Sequence, residues 1–347
     1  MGGYLTKRLF LVVAIFVSPA AWAADEPLDD RAAYEFKDYV LQDELQYPDW
    51  FKTSFGDLRD DLKTAVKNGK KGIMVYFGQK RCSYCERFIK VNLEAPDVQN
   101  YLQKYFDAVP IDIWGINDIK TFSGEELSEQ EFAIKEQTNF TPSLIFYDAQ
   151  GRVALRLRGY YPPYKFRAAL KYIVEGFYRK ESLREYMARA DATMIFDPAG
   201  LNEQDFFTKP PFNLDRSRYK GERPLVVFFE QSKCHACDVL HTGPLANEDL
   251  RKQIQNMEVI QLDMWSDVPV VTPAGRKTTA RQWANELGLF YAPAMIFFDE
   301  RGREQMRVDA VTQFYRLFGV FNYMNSRAYL KFPNFQQWRI LQRGISR

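Results

Sequence analysis

The sequence is poor in residues that hold metals and rich in little that would bind charge. It has two histidines and four cysteines in 347 residues. One histidine, His235, lies inside a cysteine motif, so a histidine-rich metal centre is excluded. A c-type haem needs His directly after the second Cys of a Cys-x-x-Cys pair, and Glu86 and Asp238 stand there instead. A four-Cys zinc site would have to join pairs in two separate halves of the chain, so neither metal nor other cofactor is expected. No phosphate-binding glycine loop and no Ser-His-Asp pattern stands out. Long apolar runs are also missing. The run at 9–17 has nine residues, against about 20 for a bilayer span. Net charge is small, with 47 basic and 45 acidic residues, which argues against nucleic acid as a partner.

That apolar run has a different meaning. Lys7 and Arg8 precede it, and Ala21-Trp22-Ala23 supplies small residues at the −3 and −1 positions. This is the pattern of a secretory leader, residues 1–23, cleaved after Ala23. The expected location is the bacterial periplasm, with no membrane span in the mature chain.

The four cysteines form two Cys-x-x-Cys motifs, Cys82-Ser83-Tyr84-Cys85 and Cys234-His235-Ala236-Cys237. Each follows an apolar, strand-like run and precedes a segment that reads as helix. A helix N-terminus there stabilises a thiolate, the nucleophile of dithiol chemistry. The motifs belong to a long internal repeat. Cys82 maps to Cys234 at an offset of 152, and later landmarks hold an offset of 151. Asp112-Ile113-Trp114 becomes Asp263-Met264-Trp265, Thr141-Pro142-Ser143 becomes Ala292-Pro293-Ala294, and Gly151-Arg152 becomes Gly302-Arg303. So long a period means domain duplication rather than a solenoid. The expected domains are 24–190 and 223–347, joined by a linker at 191–222.

In an oxidising compartment, Cys82–Cys85 and Cys234–Cys237 could be structural disulfides of a client-binding module. A bond across two intervening residues closes a tiny loop and stabilises little. Both pairs also occupy the same motif position, so they read as redox-active dithiols. Cys82 and Cys234 are the expected exposed attackers, with Cys85 and Cys237 as buried resolving thiols. A protonated His235 beside Cys234 would stabilise the reduced form and make the second site the more oxidising. His241 reads as a surface or helix-packing residue.

Periodicity and turn residues predict helices over 55–67, 82–91, 96–105, 128–137, 163–178 and 182–190. Strands are predicted over 72–78, 108–113, 144–147 and 153–157, with a loop at 115–126. The second half repeats this order, and a helix over 335–342 ends it. The fold class is α/β, a central mixed sheet flanked by helices in each half.

This order resembles the thioredoxin fold in both halves. The resemblance implies a cis proline facing each dithiol, at Pro142 and Pro293, each preceded by a residue beside the site, Thr141 or Ala292. A closer resemblance, to SoxW-type periplasmic thioredoxins, rests on Pro48-Asp49-Trp50-Phe51-Lys52, Phe77-Gly78-Gln79, Asp112-Ile113-Trp114-Gly115 and Phe140-Thr141-Pro142-Ser143. It implies thiol–disulfide exchange with disulfide-containing client proteins, with electrons drawn from a membrane donor. The chain departs from thioredoxin in its Ser-Tyr and His-Ala dipeptides. Tyr76 and Phe228 also replace the buried acid, for which Glu230 is a candidate substitute in the second half. These departures leave oxidase or isomerase activity as the alternative direction.

Overall fold

The computed structural model describes residues 31–190 and 200–345. The expected leader and residues 191–199 lie outside that range. A short N-terminal helix, α1 (Arg31–Tyr34), comes first. The first half then runs α2 (Leu58–Lys67), β1 (Gly72–Gly78), α3 (Ser83–Phe88), α4 (Pro96–Tyr105), β2 (Phe106–Asp112), β3 (Asp118–Lys120), β4 (Glu126–Ser128), α5 (Glu129–Lys135), β5 (Ser143–Asp148), β6 (Val153–Arg158), α6 (Pro163–Val174) and α7 (Leu183–Ala190). The second half runs β7 (Phe212–Asn213), β8 (Leu225–Glu230), α8 (His235–Thr242), α9 (Glu248–Ile254), β9 (Glu258–Asp263), β10 (Pro269–Val271), β11 (Lys277–Thr279), α10 (Ala280–Glu286), β12 (Ala294–Phe298), β13 (Glu304–Val308), α11 (Phe314–Asn325) and α12 (Phe335–Ile345).

Each half is built on a four-stranded mixed sheet, ordered β2-β1-β5-β6 and β13-β12-β8-β9. β1 lies parallel to β2 and antiparallel to β5, so Ile73 faces Asp107 on one side and Tyr147 on the other. All seven β1 residues are buried, as expected of an apolar strand covered on both faces. β8 occupies the same place between β9 and β12.

Local chemistry sets the element ends, and several differ from the sequence expectation. α2 starts at Leu58, not 55, because the Asp57 side chain caps it by accepting from the Arg59 and Asp60 amides. Phe55 is fully exposed outside it. α3 continues as a π-helical stretch over Ile89–Leu93. The stretch read as a loop at 115–126 carries β3, which pairs with β4 as an antiparallel hairpin. A capping box between Ser128 and Glu131 then opens α5. α6 stops at Val174, and Gly176, at φ +78°, leads into a single 3-10 turn, Phe177–Arg179. Within the stretch read as linker, β7 pairs with β10.

The two halves pack against each other through residues that the repeat pairs. The Val311 amide donates to the Tyr160 carbonyl at 2.9 Å. Gly159 lies under Ala310, and a Cβ on it would stand 2.7 Å from the Ala310 Cβ. Phe140 of the first half is buried in the core of the second. Its repeat equivalent, Tyr291, is buried in the core of the first. The terminal helix of each half clasps the other. Arg184 on α7 donates to the carbonyls of Leu289 and Met264, both at 2.7 Å, and stacks on Trp265. Gln336 on α12 donates to the Asn139 carbonyl at 2.8 Å, and Phe335 packs edge-on against Phe140.

Candidate functional site

Each cysteine pair sits where a buried central strand ends and a helix begins. Cys82 is the N-cap of α3, and its Sγ accepts from the Cys85 amide at 3.0 Å. Cys234 caps α8 in the same way, with the Cys237 amide at 3.1 Å. Both pairs are disulfide-bonded, with S–S lengths of 2.09 and 2.07 Å. Cys85 and Cys237 are fully buried. The first cysteines were expected to be exposed, but Cys82 is only 4 % and Cys234 only 8 % accessible. A proline loop lies against each sulfur, and at Cys82 the facing half adds to the cover. The hydrophobic cluster that contains Cys82 also contains Tyr291, Ala310 and Val311.

The Thr141–Pro142 and Ala292–Pro293 peptide bonds are both cis. They bring the preceding residue to the sulfur. Cys82 Sγ lies 3.3 Å from Thr141 Oγ1 and 3.8 Å from the Thr141 carbonyl. Cys234 Sγ lies 3.6 Å from the Ala292 carbonyl. Gln79 donates to Thr141 Oγ1 at 2.8 Å and accepts from Trp114 Nε1 at 3.0 Å. The second site repeats the Trp265–Gln231 bond at 2.9 Å, but Ala292 has no hydroxyl to complete the chain.

His235 is exposed and meets the Tyr34 ring edge-on, with centroids 5.5 Å apart. His241 is not a surface residue. Helical spacing turns it inward on the same face as Cys237, where it is 4 % accessible. Its Nε2 lies 2.9 Å from Oε1 of the fully buried Glu230, whose other oxygen accepts from Gln261 at 3.0 Å. Glu230 is thus a buried carboxylate at the end of β8, held by His241 and Gln261, while Tyr76 and Phe228 are buried aromatic residues of β1 and β8.

Sequence reasoning missed a charged cluster at the first site. The Tyr84 hydroxyl donates to Asp38 at 2.9 Å and accepts from the Gln313 amide at 2.8 Å. The Arg316 guanidinium lies 3.2 Å from the Tyr84 ring centroid and donates to the Thr141 carbonyl at 2.8 Å. Burial lowers the Arg316 pKa to about 10, still far enough above neutrality to keep the charge. Burial likewise raises the Tyr84 phenol well above its usual range. One signal was available: Arg316 is the only charged residue in α11. On the other flank of the first site, a groove of about 1630 Å³ runs past Gln79, Lys80, Arg81 and Trp114 to the exposed side chains of Phe55 and Ile116. Among the described residues no cluster of His, Cys, Asp or Glu could hold a metal, and no helix is long and apolar enough to cross a membrane.

A reversible disulfide, capped by a helix amide and faced by a proline loop, is chemistry that this α/β sheet carries twice. The molecule is a thiol–disulfide oxidoreductase built from two thioredoxin-like domains. The chain belongs to the thioredoxin-like domain family, whose model matches residues 58–174 and again 213–325. Among solved structures it is similar to a thioredoxin-fold protein from Helicobacter pylori, at 26% identity and a TM-score of 0.32, over 36% of this chain and 87% of that one. A thioredoxin from Thermus thermophilus is similar at 22% identity and a TM-score of 0.27, over 40% and 92% of the two chains. A disulphide isomerase from Xylella fastidiosa is similar at 18% identity and a TM-score of 0.24, over 39% and 88%. No curated protein matches the chain.

Proposed function

We propose that this protein works in the periplasm and reduces disulfides of client proteins, as its resemblance to SoxW-type thioredoxins implies. The leader-like pattern at 1–23 supports export, and a membrane reductase is the proposed electron donor. The observation that carries the reading is the amide hydrogen bond to each first sulfur, 3.0 Å at Cys82 and 3.1 Å at Cys234. Such a bond favours the thiolate over the thiol. In the reduced protein, Cys82 or Cys234 attacks a client disulfide, forms a mixed disulfide and releases one client thiol. Cys85 or Cys237 then attacks the bonded cysteine and releases the second thiol. The client gains two electrons and two protons, and the Cys-x-x-Cys pair becomes a disulfide. Thr141, Pro142 and Pro293 flank the attacked sulfur in this scheme, and His235 tunes the second site.

The test is reduction of a disulfide-bonded protein by Cys82→Ser, Cys234→Ser and the double variant. Each single variant should lose one site, and the double variant should lose activity at least about 100-fold with folding intact. Retained reduction in a folded double variant would sink the assignment. His235 favours a second reading, in which the Cys234–Cys237 site is an oxidant. Potentials of both dithiols decide the direction: values above about −180 mV belong to oxidases and isomerases rather than reductases.

A further inference from the structure

The first dithiol has an electrostatic partner that its own domain does not supply. Arg316 belongs to α11 of the second half, and its Nη2 donates to the same Thr141 carbonyl that faces Cys82 Sγ, at 2.8 and 3.8 Å. Guanidinium and sulfur therefore lie no farther apart than those two lengths laid end to end. The side chain is 3 % accessible, so water screens its charge poorly. Its Nε has no hydrogen-bond partner among the described residues. A buried N–H without an acceptor is costly. A reduced first site would place the negative charge of the Cys82 thiolate against the same Thr141 carbonyl that the guanidinium holds.

Three other titratable groups face this guanidinium. Tyr84 lies under it as a neutral ring, because burial raises its phenol pKa. Arg339 on α12 adds positive charge that disfavours a second cation nearby. Asp38 is the counter-charge, but its hydrogen bonds go to the Tyr84 hydroxyl and to the Tyr315 and Arg316 amides. The carboxylate is thus engaged with the start of α11. The guanidinium is left stacked on Tyr84 with its Nε open.

We propose that Arg316 of the second domain stabilises the Cys82 thiolate of the first, so that the reactivity and potential of one dithiol are set by the other domain. The repeat varies this device at the second site. Lys165 stands where Arg316 does, and Ala236 replaces the Tyr84 ring. The proposal rests on Cys82 being the attacking thiol.

The experiment is alkylation of the reduced full-length protein with iodoacetamide across pH, with each cysteine read separately by mass spectrometry. In Arg316→Gln the midpoint for Cys82 should rise by about one pH unit, a tenfold loss of thiolate, while that of Cys234 stays put. Arg316→Lys should recover part of the shift. Asp38→Asn should move the Cys82 midpoint the opposite way, since it removes the counter-charge. At a pH above the midpoint, the first-site potential of Arg316→Gln should fall by about 30 mV, the equivalent of tenfold. If Cys82 still labels before Cys85 but its midpoint is unmoved in Arg316→Gln, Arg316 has no such role. If both attackers shift together, the variant has loosened the fold and the proposal fails. If Arg316→Gln does not fold, Asp38→Asn decides, and an unmoved midpoint there is equally fatal. Earlier labelling of Cys85 would instead remove the attacker assignment itself.

Discussion

Asp309 shows what the contact between the halves costs a single residue. It follows β13 directly, is 7 % accessible, and its Oδ1 has no hydrogen-bond partner among the described residues. Burial raises its pKa, although Arg307 and Arg158 pull the other way. The sign is therefore set. The folded state holds the proton more tightly than the unfolded state, so stability falls as pH rises from the ordinary carboxylate range through the raised value. Asp309→Asn removes that penalty. It should stabilise the protein by on the order of 1 kcal/mol at pH 8, and the gain should vanish near pH 3. Urea melts at the two pH values check this, and an equal effect at both would show that the carboxyl is not titrating as described. Glu230 and His241 show the opposite solution, in which a buried carboxylate is stabilised by partners. The resemblance to thioredoxin, with its buried acid, pointed to Glu230. Nothing local pointed to His241, because a lone histidine on a helix looks the same whether it faces water or a carboxylate.

At the level of elements, the loop before each cis proline does two jobs. Thr141 and Ala292 present their carbonyls to a cysteine sulfur. Phe140 and Tyr291, one residue earlier, are buried in the opposite half. Phe140 meets Phe335 edge-on at 5.6 Å and lies 5.0 Å from the Arg316 guanidinium. It thus ties the active-site loop to α11 and α12. Phe140→Ala should cost about 3–5 kcal/mol, as a large buried aromatic does. It should also raise the alkylation rate of Cys82, because the loop that covers the sulfur loses its anchor. Thermal unfolding and the labelling rate together test it. A small loss of stability with unchanged labelling would mean that the loop is held by its own domain. Most elements were legible because their signals are local: the Ser128 cap and the Asp148–Gly151 turn act within four residues. The β3–β4 hairpin was not, since three-residue strands carry too few side chains to show alternation.

The whole molecule is two oxidoreductase domains whose dithiol faces are turned toward each other. Tyr84 in the first motif touches Arg316 and Gln313, and Ala236 in the second packs against the first-half cluster. The N-terminal segment is part of the seam. Gln313 donates to the Tyr34 carbonyl at 2.6 Å, and Asp38 accepts from the first turn of α11. Separate expression of 31–190 and 200–345 would strip this cover from both sites. Each half should melt below the intact chain, and both Cys82 and Cys234 should alkylate faster. Mixing the halves should restore slow labelling, since Phe140 and Tyr291 would regain their pockets. Halves as stable as the parent, with no association on titration, would show the seam to be energetically idle.

The sequence by itself determined the chemistry, the duplication and the alternation of strand and helix. Each of these is written locally: two Cys-x-x-Cys motifs, one register held over many landmarks, and apolar runs of strand length closed by turn residues. Only the tertiary structure decided that the attacking cysteines are covered, that His241 meets Glu230, and that Arg316 reaches the carbonyl beside Cys82. The Arg316–Thr141 hydrogen bond spans 175 positions of the chain. No spacing rule links such residues. They meet because two aromatic faces bury each other, and the orientation of that burial is set by the summed packing of both domains rather than by any segment of either.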